Sequence, residues 1–294
     1  MAGPRSAAAW KRFYAEERAR LGERALAEML EAARPTPIAL GRAAVFPHTR
    51  LEVTGAQVAA VARGVVESGA SEVLALGVLH GARERDAELV KSARAGDEIA
   101  RDSLRRVHRT GGHAEEEFSL DAFVALVALE ARRAGRPAPA IEVRYPFLVG
   151  DEPATLPGVD ELRRAAEQTP VVATTDPMHY GVGYGTPGDL VGIADLRASS
   201  LARASIEAQL AALSCHDFGA FARECERARS DFRDVGPVLA LVLGRDARFE
   251  LLELRLVDYA EALSARPPTW VAGARVDAVT APGRRATRTA ATPA

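Results

Sequence analysis

The chain has 294 residues, of which 48 % are hydrophobic and 27 % charged, with 38 basic side chains against 40 acidic ones. That many apolar residues can bury a real core, while a formal net charge of −2 excludes a general attraction to nucleic acid or anionic lipid. No run approaches the roughly 18 apolar residues that a membrane helix needs, so a soluble protein without nucleic-acid or membrane partners is expected.

Residues 7–32 place apolar side chains at helical spacing among many charges and stop before Pro35 and Pro37, which predicts an amphipathic helix. This N-terminal stretch lacks the apolar core of a secretory signal. The cysteines, Cys215 and Cys225, fall in one helical region where their side chains do not easily meet. A reduced, cytoplasmic setting is therefore expected.

Ala43 to Phe46 is a short apolar run that stops at Pro47-His48, a buried strand and then a loop. Gly55 to Val66 returns to helical spacing, and Glu72 to Leu79 is a second strand-like run ending at His80-Gly81. Strand, helix and strand in succession predict a parallel βαβ unit. The rhythm continues with a helix over Asp121 to Arg133, a strand over Ala140 to Val149, a helix over Val159 to Gln168 and a strand over Val171 to Asp176. A Gly-rich loop over 181–188 precedes a largely helical stretch over 197–243. Phe249 to Val257 and Trp270 to Val279 are late strands suited to antiparallel pairing. No repeat or linker divides the body, so residues 1–279 read as a single α/β domain with a central, mostly parallel sheet flanked by helices. Residues 280–294 are small and polar and predict a disordered tail.

Histidines stand at 48, 80, 108, 113, 179 and 216. His48 and His80 each end a predicted strand, and His179 follows the strand that closes on Asp176. In open parallel sheets the carboxyl ends of the strands line the ligand crevice. A lone loop histidine is ordinarily satisfied by water or backbone, but three at equivalent strand ends point to a shared metal or catalytic site. His108 and His113 lie in a charged, Gly-containing stretch and are expected at the surface, although the loop carrying His113 could reach the crevice. His216 sits at a predicted helix start and is read as structural. Glu115, Glu116 and Glu117 read as a solvated helix start.

In order along the chain, Pro-His, strand-His-Gly, Glu-x-Ser-Leu-Asp, Pro-Phe-Leu-Val-Gly and Thr-Thr-Asp-x-x-His-Tyr-Gly resemble the Memo family (mediator of cell motility). That family is similar in fold to the LigB-like catalytic subunit of class III extradiol ring-cleavage dioxygenases. The resemblance runs from about Trp10 to Val279, and Leu256 to Ala260 with Trp270 to Ala274 resemble its final strand pair. It implies a metal pocket, with His48, His80 and His179 in the positions of the family histidines and Asp176 in the acidic position before the third. Two departures stand out. A cysteine that supplies a ligand in animal members is replaced by Asp231, or by Asp234 if the alignment shifts, and a histidine in the family's Glu-His-Ser motif is Phe118 here.

Two histidines and a carboxylate on one face of an iron ion leave three positions open, the arrangement of non-haem Fe(II) oxygenases; a thiolate would favour softer metals. The resemblance thus implies His48, His80 and Asp231 as ligands to Fe(II), with copper or zinc as alternatives, although Asp231 also suits a helix cap. His179 is left for acid–base work, near an unperturbed imidazole pKa of about 6.5, with Asp176 orienting its ring. Arg50 is suited to a substrate carboxylate or to plain exposure, and Tyr180 and Tyr184 to substrate contacts or packing in the Gly-rich loop. The expected function is a non-haem Fe(II)-dependent dioxygenase-like enzyme acting on dioxygen and a small phenolic or catecholic substrate. The alternatives are a non-catalytic Memo-like metal- or partner-binding protein and a metal hydrolase.

Overall fold

Ala43 and Val45 face one side of the first strand, Ala44 and Phe46 the other, and all four are buried. A strand buried on both faces belongs inside a sheet covered by helices on each side, and the computed structural model places it there. The structure describes residues 6–81, 86–109, 117–191 and 197–280. Among them the strands are β1 (Arg42–Phe46), β2 (Glu72–Leu76), β3 (Arg106–His108), β4 (Ala140–Phe147), β5 (Val171–Thr174), β6 (Met178–Gly181), β7 (Ala247–Asp258) and β8 (Thr269–Thr280). The principal helices are α1 (Ala7–Ala32), α2 (Leu51–Ser68), α3 (Ala87–Arg94), α4 (Glu98–Leu104), α5 (Asp121–Ala134), α6 (Val159–Ala166), α7 (Ala198–Ser214), α8 (Phe218–Ala228) and α9 (Phe232–Leu243).

The α/β architecture is the one the sequence predicts. Strands β4, β2, β5 and β1 lie side by side and parallel. Alternation along them sorts two cores. Ala44, Phe46, Val73, Ala75 and Val172 pack with Leu30 of α1, Val61 of α2 and Phe123 of α5. On the other face, Val45, Leu74, Leu76 and Ala173 pack with Leu162 of α6, Leu210 of α7, Phe221 of α8 and Leu239 of α9. Each fully buried Val, Leu or Phe among them contributes on the order of 1.5–3 kcal/mol.

The late strands pair antiparallel as expected, but β8 does more. Strand β7 pairs along one edge of β8 from Ala247↔Thr280 to Asp258↔Trp270. A strand has two edges, so β1 and β6 must share the other. Strand β1 pairs with Asp277 to Val279 and continues to Val276, whereas β6 pairs with Thr269 to Ala272. They lie end to end along β8, running in the same direction. The chain leaving β5 thus steps sideways into the place that β1 vacates after Phe46, fixed by the bond from Thr175 N to Phe46 O (3.0 Å). Gly273 sits at the junction, where a Cβ would come within 2.7 Å of Thr54 Cγ2 and 3.2 Å of Pro47 Cβ.

Four further differences from the sequence reading have plain causes. Helices α3 and α4 and strand β3 went unforeseen because elements of eight, seven and three residues are too short to display a period. Strand β6 lies where the loop was expected to begin, because its pairing partner is distant in sequence. Helix α1 is broken at Gly22, whose φ of 70° and ψ of 170° leave the helical region. Thr280 is the last residue of β8, not the first of a tail. The rest of the expected tail, His113, Glu115 and Glu116 lie outside the described residues. No helix among the described residues is long and apolar enough to cross a membrane.

Candidate metal centre

His48, His80 and Asp176 follow β1, β2 and β5 at the carboxyl ends of parallel strands, where the crevice of such a sheet opens. His179 arrives differently. It lies on β6, opposite Val271 of β8, so the late hairpin holds it beyond the end of β1. Asp231 stands at the start of α9, and its backbone N–H donates to Asp176 O (3.1 Å).

These side chains meet. Asp231 Oδ2 lies 3.6 Å from His48 Nε2, 3.4 Å from His80 Nε2 and 3.5 Å from His179 Nε2. Such separations are long for hydrogen bonds and close to the roughly 3–3.5 Å between ligand atoms placed about 2.1 Å from one ion. His48, His80 and Asp231 form one group with metal-ligand spacing, and Asp176, His179 and Asp231 form another. The donor set of imidazole nitrogens and carboxylate oxygens suits iron, zinc or copper(II).

The opposite nitrogen of each ring is engaged. His179 Nδ1–H donates to Arg229 O (2.8 Å), which leaves Nε2 as the acceptor of the neutral ring. Thr174 Oγ1 donates to Phe46 O (2.9 Å) and so has a lone pair for His48 Nδ1–H at 3.2 Å. His80 Nδ1 contacts Glu117 Oε1 at 2.9 Å. Three rings are therefore turned so that Nε2 faces the centre, the outer-shell support typical of metal-binding histidines.

Glu117 was expected to be solvated; it is buried. Its carboxylate accepts the backbone N–H groups of His80 (2.5 Å), Phe118 (2.8 Å) and Ser119 (3.1 Å) as well as the His80 ring. The neighbouring Phe118 stacks on His80 with ring centroids 4.6 Å apart. Burial disfavours both charges, yet the Glu117 charge, with Asp231, overrides it and lifts the His80 pKa to about 10. His80 in turn overrides the burial of Glu117 and lowers its carboxyl. Burial also opposes ionisation of Asp231, but His179, His48 and His80 hold it well below the usual carboxylate range. Asp176 has no such surplus of partners, and burial raises it.

The cavity over this cluster measures about 250 Å³ and is lined by Trp10, Tyr14, Phe118, Tyr184, Val271 and Arg229 together with His48, His80, His179, Asp176 and Asp231. Trp10 and Tyr14 come from α1, which thus roofs a site built at the sheet edge. The ring of Tyr184 lies 4.9 Å from that of His179. Other sequence candidates go elsewhere. Tyr180 stacks on Trp270 at 4.9 Å in the core below the site, because alternation along β6 turns it away from His179. Arg50 is engaged by Glu17 and Glu52 and does not line the cavity. Asp234 accepts Leu148 N (3.0 Å) at the end of β4. Asp176 accepts His48 N (3.2 Å) and approaches His48 Nε2 to 3.6 Å, while Arg229 O holds the ring of His179 that Asp176 was expected to orient. His108 is half-buried on β3, near Phe147, and His216 Nε2 contacts Gly244 O (3.2 Å) as a structural link.

Sequence reasoning passed over Glu117, Thr174, Arg229, Trp10 and Tyr14. Glu117 and Thr174 had a local signal in their places in the Glu-x-Ser-Leu-Asp and Thr-Thr-Asp-x-x-His-Tyr-Gly motifs; Arg229, Trp10 and Tyr14 carry none, since each reaches the site through a distant segment. Compared with protein-family models and with characterised proteins, the chain matches none, so these residues and their geometry carry the functional argument alone.

Proposed function

We propose that this chain is a non-haem Fe(II)-dependent oxygenase acting on a small phenolic or catecholic substrate, in keeping with the resemblance of its motifs to Memo and LigB-like proteins. The observation that carries the reading is the convergence of the His48, His80 and His179 Nε2 atoms on one oxygen of Asp231 at 3.4–3.6 Å. His48, His80 and Asp231 would hold the ion. A ferrous ion there would supply electrons to dioxygen and a Lewis-acidic centre for a substrate oxygen. His179, fixed through Nδ1 to Arg229 O, presents Nε2 to take the proton of a substrate hydroxyl and later return it. Phe118, Tyr14 and Tyr184 give the cavity aromatic walls. At about 250 Å³ it falls below the ~300–1,000 Å³ of common small-molecule sites, which favours a single ring over a large ligand. Cys215 and Cys225 are not joined by a disulfide, in keeping with a reducing, cytoplasmic setting.

The near-equal distances from Asp231 to all three imidazoles favour a second reading. If His179 also ligates, four protein donors close the coordination sphere, as in non-catalytic metal sites. Purification without oxygen, metal analysis and dioxygen uptake with a catechol panel after addition of Fe(II) separate the two. Iron-dependent uptake that is lost in His179→Ala, with iron retained, supports the oxygenase. Stoichiometric zinc or copper without uptake, and loss of that metal in His179→Ala, supports the closed site.

A further inference from the structure

We propose that Arg229 is the specificity-determining residue of this cavity, recognising a carboxylate carried by the substrate ring. The inference rests on the phenolic-substrate reading above and adds the group that selects among phenols. Arg229 ends α8 in the left-handed region, with φ of 51°, a conformation that a non-glycine residue adopts at a cost and that is concentrated at functional sites. The turn aims two parts of one residue at the site. Its carbonyl accepts from His179 Nδ1 (2.8 Å), and its Nη2 donates to Gly185 O (2.6 Å), just past Tyr184. The guanidinium is thereby anchored by one nitrogen beside the cavity it lines, while an arginine carries five N–H donors in a fixed fork.

Charge completes the case. Arg229 puts a positive charge on the cavity wall that no carboxylate among the described residues pairs with. Arg50, two residues after His48, is already held by Glu17 and Glu52. A carboxylate matches the guanidinium fork in shape as well as charge. The cavity of about 250 Å³ limits the ligand that bears it to roughly one ring.

The test is calorimetric binding of 4-hydroxybenzoate and its neutral isostere 4-hydroxybenzamide to the full chain loaded with Fe(II) under nitrogen. The wild type should bind the benzoate about tenfold tighter or more, the worth of one charge-assisted bond. Arg229→Gln should erase that ratio, mainly by weakening the benzoate, and Arg229→Lys should keep part of it. Side-chain replacement leaves the carbonyl on His179 in place, so iron content and melting temperature report any misfolding. Equal binding of the two ligands by the wild type, or a ratio that survives in Arg229→Gln, overturns the role of Arg229 and leaves the phenolic reading standing. Binding of neither ligand by iron-loaded wild type overturns both.

Discussion

Helices α8 and α9 pack on the same side of the sheet and each begins at an aspartate. Asp217 is exposed and accepts Ala220 N at 2.8 Å, an ordinary N-cap. Asp231 occupies the equivalent position of α9 yet makes no side-chain capping bond; Ser230 Oγ accepts Phe232 N (3.1 Å) instead. Its carboxylate is buried and turned to three imidazoles. Burying a charge away from water is costly without compensation, so an acid that forgoes its own helix to sit among histidines is compensated by them or by a cation. The same residue type at the same helix position thus serves the backbone in one place and the centre in the other.

The strongest way to break that comparison is to truncate both acids. Asp231→Ala should reduce iron in the reconstituted protein from near-stoichiometric to trace, as read by metal analysis; retained iron removes Asp231 from the centre. Glu117→Gln probes a carboxylate that does both jobs, serving backbone N–H groups and the His80 ring. Its loss should weaken metal binding by about 10–100-fold in a competition titration, the usual cost of an outer-shell partner. A glutamine oxygen in the place of Oε1 still accepts Phe118 N and Ser119 N, whereas His80 N loses its acceptor at Oε2, so the melting temperature is read beside the affinity.

Proton linkage sharpens the comparison further. In the metal-free protein the His80 pKa stands near 10 against a reference of 6.5, so at pH 8 the ring carries a proton that an incoming ion must displace. Raising the pH removes that competitor, and affinity should climb by up to about tenfold per unit between pH 7 and 9. Calorimetry in buffers of different ionisation enthalpy should find about one proton released per ion at pH 8. A pH-independent affinity contradicts the protonated state of His80. The smallest effect belongs to Asp217→Ala, which should cost about 1 kcal/mol and lower the melting temperature by roughly 2–4 °C for a chain of this size. Iron content should not change.

Much of the frame was legible. Continuous apolar runs within 43–46, 72–79 and 171–176 and the helical patterns between them predict the parallel core, and they put His48, His80 and Asp176 at strand ends. Asp231 was separable from Asp234 only in three dimensions. Three residues apart, both project from neighbouring positions on one helix face, and it is the end of β4, offering Leu148 N, that takes Asp234 out of the centre. Arg50 illustrates the opposite error. Proximity in sequence to His48 suggested a substrate contact, but α1 delivers Glu17 to it.

By itself, then, the sequence determined the local layers, because burial periodicity is a property of neighbouring residues, and it determined the residue types able to bind a metal. Tertiary structure decided which of them meet. Strand β8 had to pair beside β1 before β6 could carry His179 past the end of that strand, α1 had to fold across the sheet edge to roof the cavity, and α8 had to end in a left-handed turn to bring Arg229 to it. Those are contacts between segments far apart in the chain. An apolar pattern states that a strand is buried but not against which partner.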